Sequence, residues 1–573
     1  MKALKYILLS LTFLKSGLFI SQTGNITINT TAPREVEPAY RMTEGPKIID
    51  TVFPTPTANY PLLSINYDPT VTISPIAPAT INVTQKLPQL YKSYARIGFG
   101  SIMMPMAEFY FNNARTRKFN YGIHAQHLSS FGPIKDYAPA NFDRTALRGF
   151  VGMNERKFKW SAESYYKNQG LHYYGFRNPD ANADSIAQRY QTFGLKGFFT
   201  NHQHDSLGVN WSAGMEYRRF NDKKPSEENF SDWNSKENYF TLFGGAYMRW
   251  GNEILSADAE LKYNGYDHGI EGDTLTSAID TGIVYRNTIF SLKPAITTYS
   301  KNGRLKARLG VDLTVGGGTA GAKAYLYPNM EVKYSLFDDI LIPYAQFVGG
   351  LTQQSYQNLT TQNEFIRSNI NSLKNESKTA EILIGIKGTV SKRIGFNVFG
   401  SFSNVKDKAL FVTDTLFSAG NEFNVLYDTM NIAKIEGSLN YQFMEKTKID
   451  LIGRFYSYQA VNNTYAWNLP QLEFIVRGSY NLYDKFLFNV EGFVQTGRKA
   501  LVYEAGKDVT EENNQFAYTL GPVVDMNLGV EYRYNKRISG FIKLNNIAAQ
   551  RYQKWYNYPV QGFQGMVGAT FRF

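Results

Sequence analysis

The 573-residue sequence contains no cysteine. That absence excludes a disulfide framework, a thiolate metal site, a catalytic thiol and a lipid-modified N-terminal cysteine. Histidine and tryptophan are scarce, at 6 each. Past the first thirty positions there is no apolar run of roughly eighteen residues, so no membrane-spanning helix is expected. Proline is thin over most of the chain, because ten of its 21 copies fall between residues 22 and 93. What is abundant is Tyr (40), Phe (40) and Gly (47), yet the mean hydropathy is −0.35. Polar on average but rich in Tyr, Phe and Gly, the composition fits strands with one lipid-facing and one watery face.

The formal charge is +12. It falls to +9 (12 − 3) once Lys2, Lys5 and Lys15 are set aside with the N-terminal segment. Charges of both signs are scattered and no dense basic run occurs, so nucleic acid is not an expected partner. Lys2 and Lys5 precede an apolar stretch from Tyr6 to Leu14, and small residues lie near a plausible cleavage point before Gln22. Residues 1–21 thus read as a secretory signal, too short to span a bilayer. Residues 22–93, with Pro54, Pro56, Pro61, Pro69, Pro75 and Pro78, lack the donors for a continuous sheet. They read as a tail, or as a strap that enters a lumen or docks a periplasmic partner.

From Tyr94 the period becomes two. Leu305, Ala307, Leu309, Val311, Leu313 and Val315 alternate with Arg304, Lys306, Arg308, Gly310, Asp312 and Thr314. Leu472, Phe474, Val476, Gly478, Tyr480 and Leu482 form one face of another segment, with Glu473, Arg477, Ser479 and Asn481 on the other. Such alternation is amphipathic only in sheet geometry. The apolar faces match the ~9–11 residues with which a tilted strand crosses hydrocarbon, and exceed the ~5–6 of soluble strands. Short turns such as 154–157, 250–253, 483–485 and 535–537 take turns with long polar loops at 177–187, 222–236, 268–282, 355–378 and 504–515. Tight periplasmic turns and longer external loops give outer-membrane barrels this asymmetry. The expected fold is all-β, a transmembrane antiparallel barrel of about 22 strands (20–22) over residues 94–573, in the cell outer membrane. Alternating runs after Tyr94 number about 21, so either one strand is uncounted or Tyr94–Asn113 is two strands turning near Met104-Pro105.

The chain ends in an amphipathic strand closing on Phe571 and Phe573, which looks like the signal read by outer-membrane assembly machinery. Together with Tyr532–Arg537, Lys543–Ile547, Gln550–Tyr552 and Trp555–Pro559, this end resembles the barrel ends of TonB-dependent-receptor-like proteins of Bacteroidota over the last forty or so residues. The resemblance implies a 22-stranded barrel, a folded N-terminal plug and a TonB box. Before Tyr94, however, there are only about seventy mature residues, and neither a full plug nor a TonB box is recognisable. A barrel of ~22 strands encloses a lumen that something must occupy. The expected occupants are residues 22–93 and infolded loops such as Ser355–Lys378, with a partner protein as a further candidate.

Catalytic, metal and cofactor constellations are not found. His124 and His127, three apart on a strand, face opposite sides. His202, His204 and Asp205 share a turn without further ligands. His127-Leu128-Ser129-Ser130 has no orienting acid. The run Val315–Gly321 lacks the lysine and helix of a phosphate loop and reads as a loop or bend. The charges opposite the lipid side define a candidate lumen cluster of Arg304, Lys306, Arg308, Asp312, Arg454 and Arg477, with the first three favouring anions. Two functions fit. One is a solute-binding or transporting receptor-like barrel, perhaps served by a surface lipoprotein. The other is a non-transporting structural or accessory subunit of an outer-membrane assembly, secretion or surface complex. Outer-membrane lipid and lipopolysaccharide are expected partners of either.

Overall fold

The computed structural model describes residues 90–573 apart from 114–115, 117, 202–207, 224–231, 272–282, 319–320, 369, 371, 416–417, 419, 445 and 504–514. The signal and proline-rich segments, and the His202, His204 and Asp205 turn, lie outside the described residues. Twenty-two strands form one antiparallel sheet. Its first strand, Ser93–Gly100, pairs with the second, Met104–Asn112, and also with the last, Gln564–Arg572. The sheet therefore closes on itself and has no edge, as hydrocarbon requires. The expected split of Tyr94–Asn113 is present, with the turn at Ser101–Met103.

Alternation explains the two surfaces. Leu309, Leu313 and Val315 project outward and exposed, while Asp312 and Thr314 between them are buried. Ile382, Ile384 and Ile386 repeat this on Glu376–Ser391, as do Leu472 and Phe474 on Leu472–Leu482. Such exposed rows are ordinary against lipid and would be liabilities in water. Charges are kept off them, since Lys or Arg at mid-bilayer costs roughly 2–4 kcal/mol on the lipid face. The polar positions pair inside instead: Arg148 with Glu163 at 2.6 Å, Lys434 with Glu436 at 2.6 Å. The closed 22-strand barrel and its outward apolar face place the chain in the outer membrane.

One end of the barrel carries tight turns: 154–157, 250–253, 483–485 and 534–537 all connect strands there. The chain ends meet at this end too, where the Ser93 and Phe573 backbones exchange hydrogen bonds at 2.8 and 3.0 Å. The opposite, external end carries long connections at 131–141, 173–186, 353–375, 497–522 and 546–563. Several strands outrun the membrane at this end. Ile394–Asp414 and Glu422–Phe443 reach 21 and 22 residues. Two segments read as loops are consequently shorter than expected, because the strands Asn210–Lys223, Asp232–Trp250 and Glu253–Glu271 extend into them. The glycine run is corrected as well. Val315–Gly318 belongs to the strand Leu305–Gly318, and among the described residues of the run only Gly321, at φ +98°, uses glycine's left-handed freedom.

Candidate functional site

The site is built by the connection 353–375, which leaves the wall after Leu341–Thr352 and returns at Glu376–Ser391. Within this long polar loop lies an apolar set. Tyr356, Leu359, Phe365, Ile366 and Ile370 are all buried. They pack against Tyr173, Tyr190, Phe220, Tyr266, Phe411, Phe423 and Tyr558, which come from the wall and from two other external loops. An apolar cluster so far from lipid can be buried only by folding the loop inward.

Its anchors are polar and specific. A short helix, Tyr356–Gln362, starts at Ser355, whose Oγ accepts from the Asn358 amide at 3.1 Å. The first two helical amides point at one wall carboxylate: Glu237 accepts from Tyr356 N at 2.7 Å and from Gln357 N at 3.1 Å. A carboxylate there satisfies donors the helix cannot satisfy itself and meets the positive end of its dipole. Asn264 Nδ2 donates to the same Glu237 oxygen at 3.0 Å. The Tyr356 hydroxyl donates to Asp222 at 2.6 Å. Burial, and next the Asp222 charge, push this phenol well above its ordinary value, so it stays protonated and can donate.

Further along, the loop crosses to other parts of the wall. Tyr173 and Tyr190 hydroxyls donate to the Ile366 and Glu364 carbonyls at 2.9 and 3.0 Å. Tyr266 OH and Ser235 Oγ donate to the Ser368 carbonyl. Arg367 pairs with Asp414 at 2.9 Å, with side-chain exposures of 6% and 4%. Ile366 bridges to Phe423 in parallel. The anchors thus belong to strands from Ala187–Asn201 round to Glu422–Phe443, with Tyr173 from the 173–186 connection. The loop is a strap tied across the external half of the lumen.

The top of the hairpin Ile394–Asp414/Glu422–Phe443 completes the closure. A bulge between Val405 and Lys408, with Asp407 at φ +53°, bends it. Beyond the bulge both faces are covered. Ala409, Phe411 and Phe423 meet the strap cluster, while Leu410, Val412 and Met430 pack with Trp467 and Leu501. The 546–563 loop contributes Tyr558, whose ring stacks on Phe365 at 3.8 Å and whose hydroxyl donates to the Asn421 carbonyl. Arg498, its value lowered by burial, donates to the Gln553 and Lys554 carbonyls at 2.8 and 2.7 Å and holds that loop down.

Beside the strap lies a cavity of about 300 Å³, bordered by Arg144, His172, Glu364, Phe365, Tyr552 and Lys554. Arg144 and Gln169 hold Glu364 at 3.0 and 2.7 Å, and Tyr552 OH donates to Asp525 at 2.8 Å. Cationic, anionic and aromatic groups on one wall suit a small polar solute, and the volume lies at the lower end of ligand pockets, about 300–1,000 Å³.

The sequence-derived cluster lies elsewhere and is not one cluster. Arg304, Lys306, Arg308 and Asp312 line Leu305–Gly318 and the turn before it, whereas Arg454 and Arg477 lie on Thr447–Ala460 and Leu472–Leu482. Five strands of wall separate the two groups. The five on strands alternate with the exposed apolar rows. Arg308 approaches Asp258 at 3.8 Å, Asp312 approaches Lys293 at 3.7 Å, Arg454 pairs with Glu436 at 3.1 Å, and Arg477 with Glu491 at 2.9 Å. Lys306 lies 5.7 Å from the Tyr299 ring and Arg304 is exposed at the periplasmic turn. His124 meets Glu108 at 3.0 Å, while His127 meets Thr145 at 2.8 Å on the other face. Sequence reasoning missed Asp222, Glu237, Arg367 and Asp414. The usable signal was the apolar set Tyr356, Leu359, Phe365, Ile366 and Ile370 inside a nominally polar loop.

No protein-family model matches the chain, and no curated protein matches it. Solved structures do. The siderophore receptor PirA from Acinetobacter baumannii superposes with a TM-score of 0.63 at 11% identity, covering 85% of this chain and 81% of that one. The pyoverdine outer membrane receptor FpvA from Pseudomonas aeruginosa PAO1 gives 0.61 at 12%, covering 85% and 79%. The copper transporter OprC gives 0.61 at 13%, covering 85% and 82%. At these identities the likeness is one of fold: the chain is a closed 22-strand antiparallel barrel like those of the three structures.

Proposed function

We propose that this protein is a receptor-like outer-membrane barrel that captures a small polar solute from the external side and passes it across the membrane. The carrying observation is the strap 353–375, tied across the lumen with a charged, aromatic cavity beside it. A permanently open barrel has no use for such a closure, while a capture device needs one that can be released. PirA, FpvA and OprC, which are receptors or transporters by name, share the barrel and support the reading. A Bacteroidota source belongs to this proposal as an expectation from the resemblance; the absence of a full plug, read from residues 22–93, and a surface lipoprotein partner belong to it as further expectations.

Planar-bilayer conductance tests it. The intact protein is expected to conduct little, and a variant in which 357–372 is replaced by a short Gly/Ser linker to conduct as a large pore. Equal, negligible conductance of both, with another outer-membrane protein co-purifying in stoichiometric amount, would replace transport with the accessory-subunit reading.

A further inference from the structure

We infer that the outer circumference of the barrel carries a binding site for the phosphate groups of an outer-leaflet glycolipid, formed by Arg189, Arg219, Lys223, Lys236 and Arg286. The inference rests on which way these side chains point. Arg219 and Lys223 flank the buried, inward Phe220 and Asp222, and both are exposed. Lys236 lies between buried Ser235 and Glu237 and is likewise exposed. Arg189 lies between buried Gln188 and Tyr190. Arg286 shares its face with exposed Val284 and Phe290. All five project from the wall, toward lipid and not into the lumen.

Register places them in one band, four residues deep along the strands. Lys223 is opposite Arg189, Asn221 opposite Lys236, and Arg219 opposite Phe193 and Asn238. Toward the periplasm on the same face come Leu195, Met215, Leu242 and Phe290, all exposed and apolar. The cations thus begin where the apolar belt stops, at its external border. They span five adjacent strands, about 20 Å at ~4.8 Å per strand. Among the described side chains, two carboxylates join them, Asp143 on Arg189 at 2.9 Å and Asp267 on Arg286 at 2.7 Å. Among the described residues, Arg219, Lys223 and Lys236 have no acidic partner; Arg219 reaches only Asn221 Oδ1 at 3.4 Å. On the opposite wall the corresponding outward positions are Asn404, Asn431, Ser457, Gln459 and Thr496.

Geometry selects the ligand. The cations line a convex wall at headgroup height and do not converge on a pocket, so they suit several anionic groups fixed in a membrane plane. Their aliphatic stems can lie along the belt while the charged heads reach up. Phosphates accept well from both guanidinium and ammonium groups.

The test uses the full-length protein in phosphatidylcholine nanodiscs containing bis-phosphorylated lipid A, with bound glycolipid read by native mass spectrometry. The triple variant R219Q/K223Q/K236Q is expected to bind about a hundredfold more weakly, each surface cation contributing about 1 kcal/mol near an anionic membrane. A control triple at periplasmic turns, K301Q/K392Q/K536Q, removes the same charge and is expected to bind like the wild type. A heat-modifiable band on gels verifies folding, and R219K/K236R, which keeps the charge, is expected to retain binding if the neutral triple misfolds. Equal binding of wild type and neutral triple overturns the inference. So does equal binding of dephosphorylated lipid A, which would assign the contact to acyl chains. Competition by millimolar inorganic phosphate would assign the arc to a soluble anion and also overturn it.

Discussion

Glu237 shows how one side chain can govern a closure. Its two oxygens accept from Tyr356 N, Gln357 N and Asn264 Nδ2, so three donors on two segments depend on a single carboxylate. Glu237→Gln keeps the shape and replaces one acceptor oxygen with an NH2 group. That group faces an amide donor, leaves it unsatisfied and removes the charge at the helix start. A buried unsatisfied donor costs about 1–3 kcal/mol, and loss of the carboxylate–dipole interaction adds about 0.3–1 kcal/mol. Amide exchange at Tyr356 and Gln357 is therefore expected to accelerate by at least tenfold, with exchange in Glu376–Ser391 unchanged. Unchanged exchange at both helical amides would show that the carboxylate does not hold the strap. None of this was legible beforehand, because Glu237 lies 119 residues before Tyr356 in sequence. Alternation can mark a strand residue as inward-facing, and nothing local tells which inward residues meet a loop.

At the scale of elements, legibility divides between what is periodic and what is not. The strands containing Leu309 and Phe474 were readable because every second position obeys the same solvent. The turns at 154–157 and 483–485 were readable because a tight connection admits few residues. The strap was readable only as a length. A loop's destination depends on the walls it meets, and those walls come from strands on distant parts of the sequence. The lumen charges show the same limit: Arg308 and Arg454 share an alternation pattern, and nothing in that pattern tells that five strands of wall lie between them. The strap's buried ion pair permits a test at this scale. Arg367→Met removes the guanidinium from Asp414, whose side chain is 4% exposed, and breaking such a pair by removing one member costs about 3–5 kcal/mol. Limited proteolysis is expected to cut the strap in this variant while the barrel stays intact on gels. Adding Asp414→Leu is expected to restore much of the protection, because the stranded charge is gone. If the double variant is as sensitive as the single one, the pair matters for its geometry and not for charge burial.

For the whole molecule, the decisive step is closure of the ring, which happens where the first and last strands meet. There the Phe541 ring lies inside the wall, over Gly98 and Gly568, packed on Met104 and Met566, with the Arg96 guanidinium 4.1 Å above it. Glycine at these positions makes room for a ring that larger residues would exclude. A β-carbon on Gly568 would overlap both the Phe541 ring and the Ile97 carbonyl oxygen. The second overlap is with backbone in the neighbouring strand, and only widening the seam relieves it. Overpacking of side chains alone typically costs about 1–3 kcal/mol, and here the strand pairing Gly98↔Gly568 is itself displaced. Because an unclosed sheet leaves a row of unsatisfied groups in hydrocarbon, the penalty falls on assembly as a whole. Gly568→Ala is expected to lower the yield of the heat-modifiable folded form severalfold during refolding into lipid, and Gly568→Val to abolish it. Gly478→Ala, at an outward position where a β-carbon meets nothing, is expected to refold like the wild type. Equal yields for the alanine variants at 568 and 478 would mean that the seam tolerates the added carbon and that closure is decided elsewhere along the sheet.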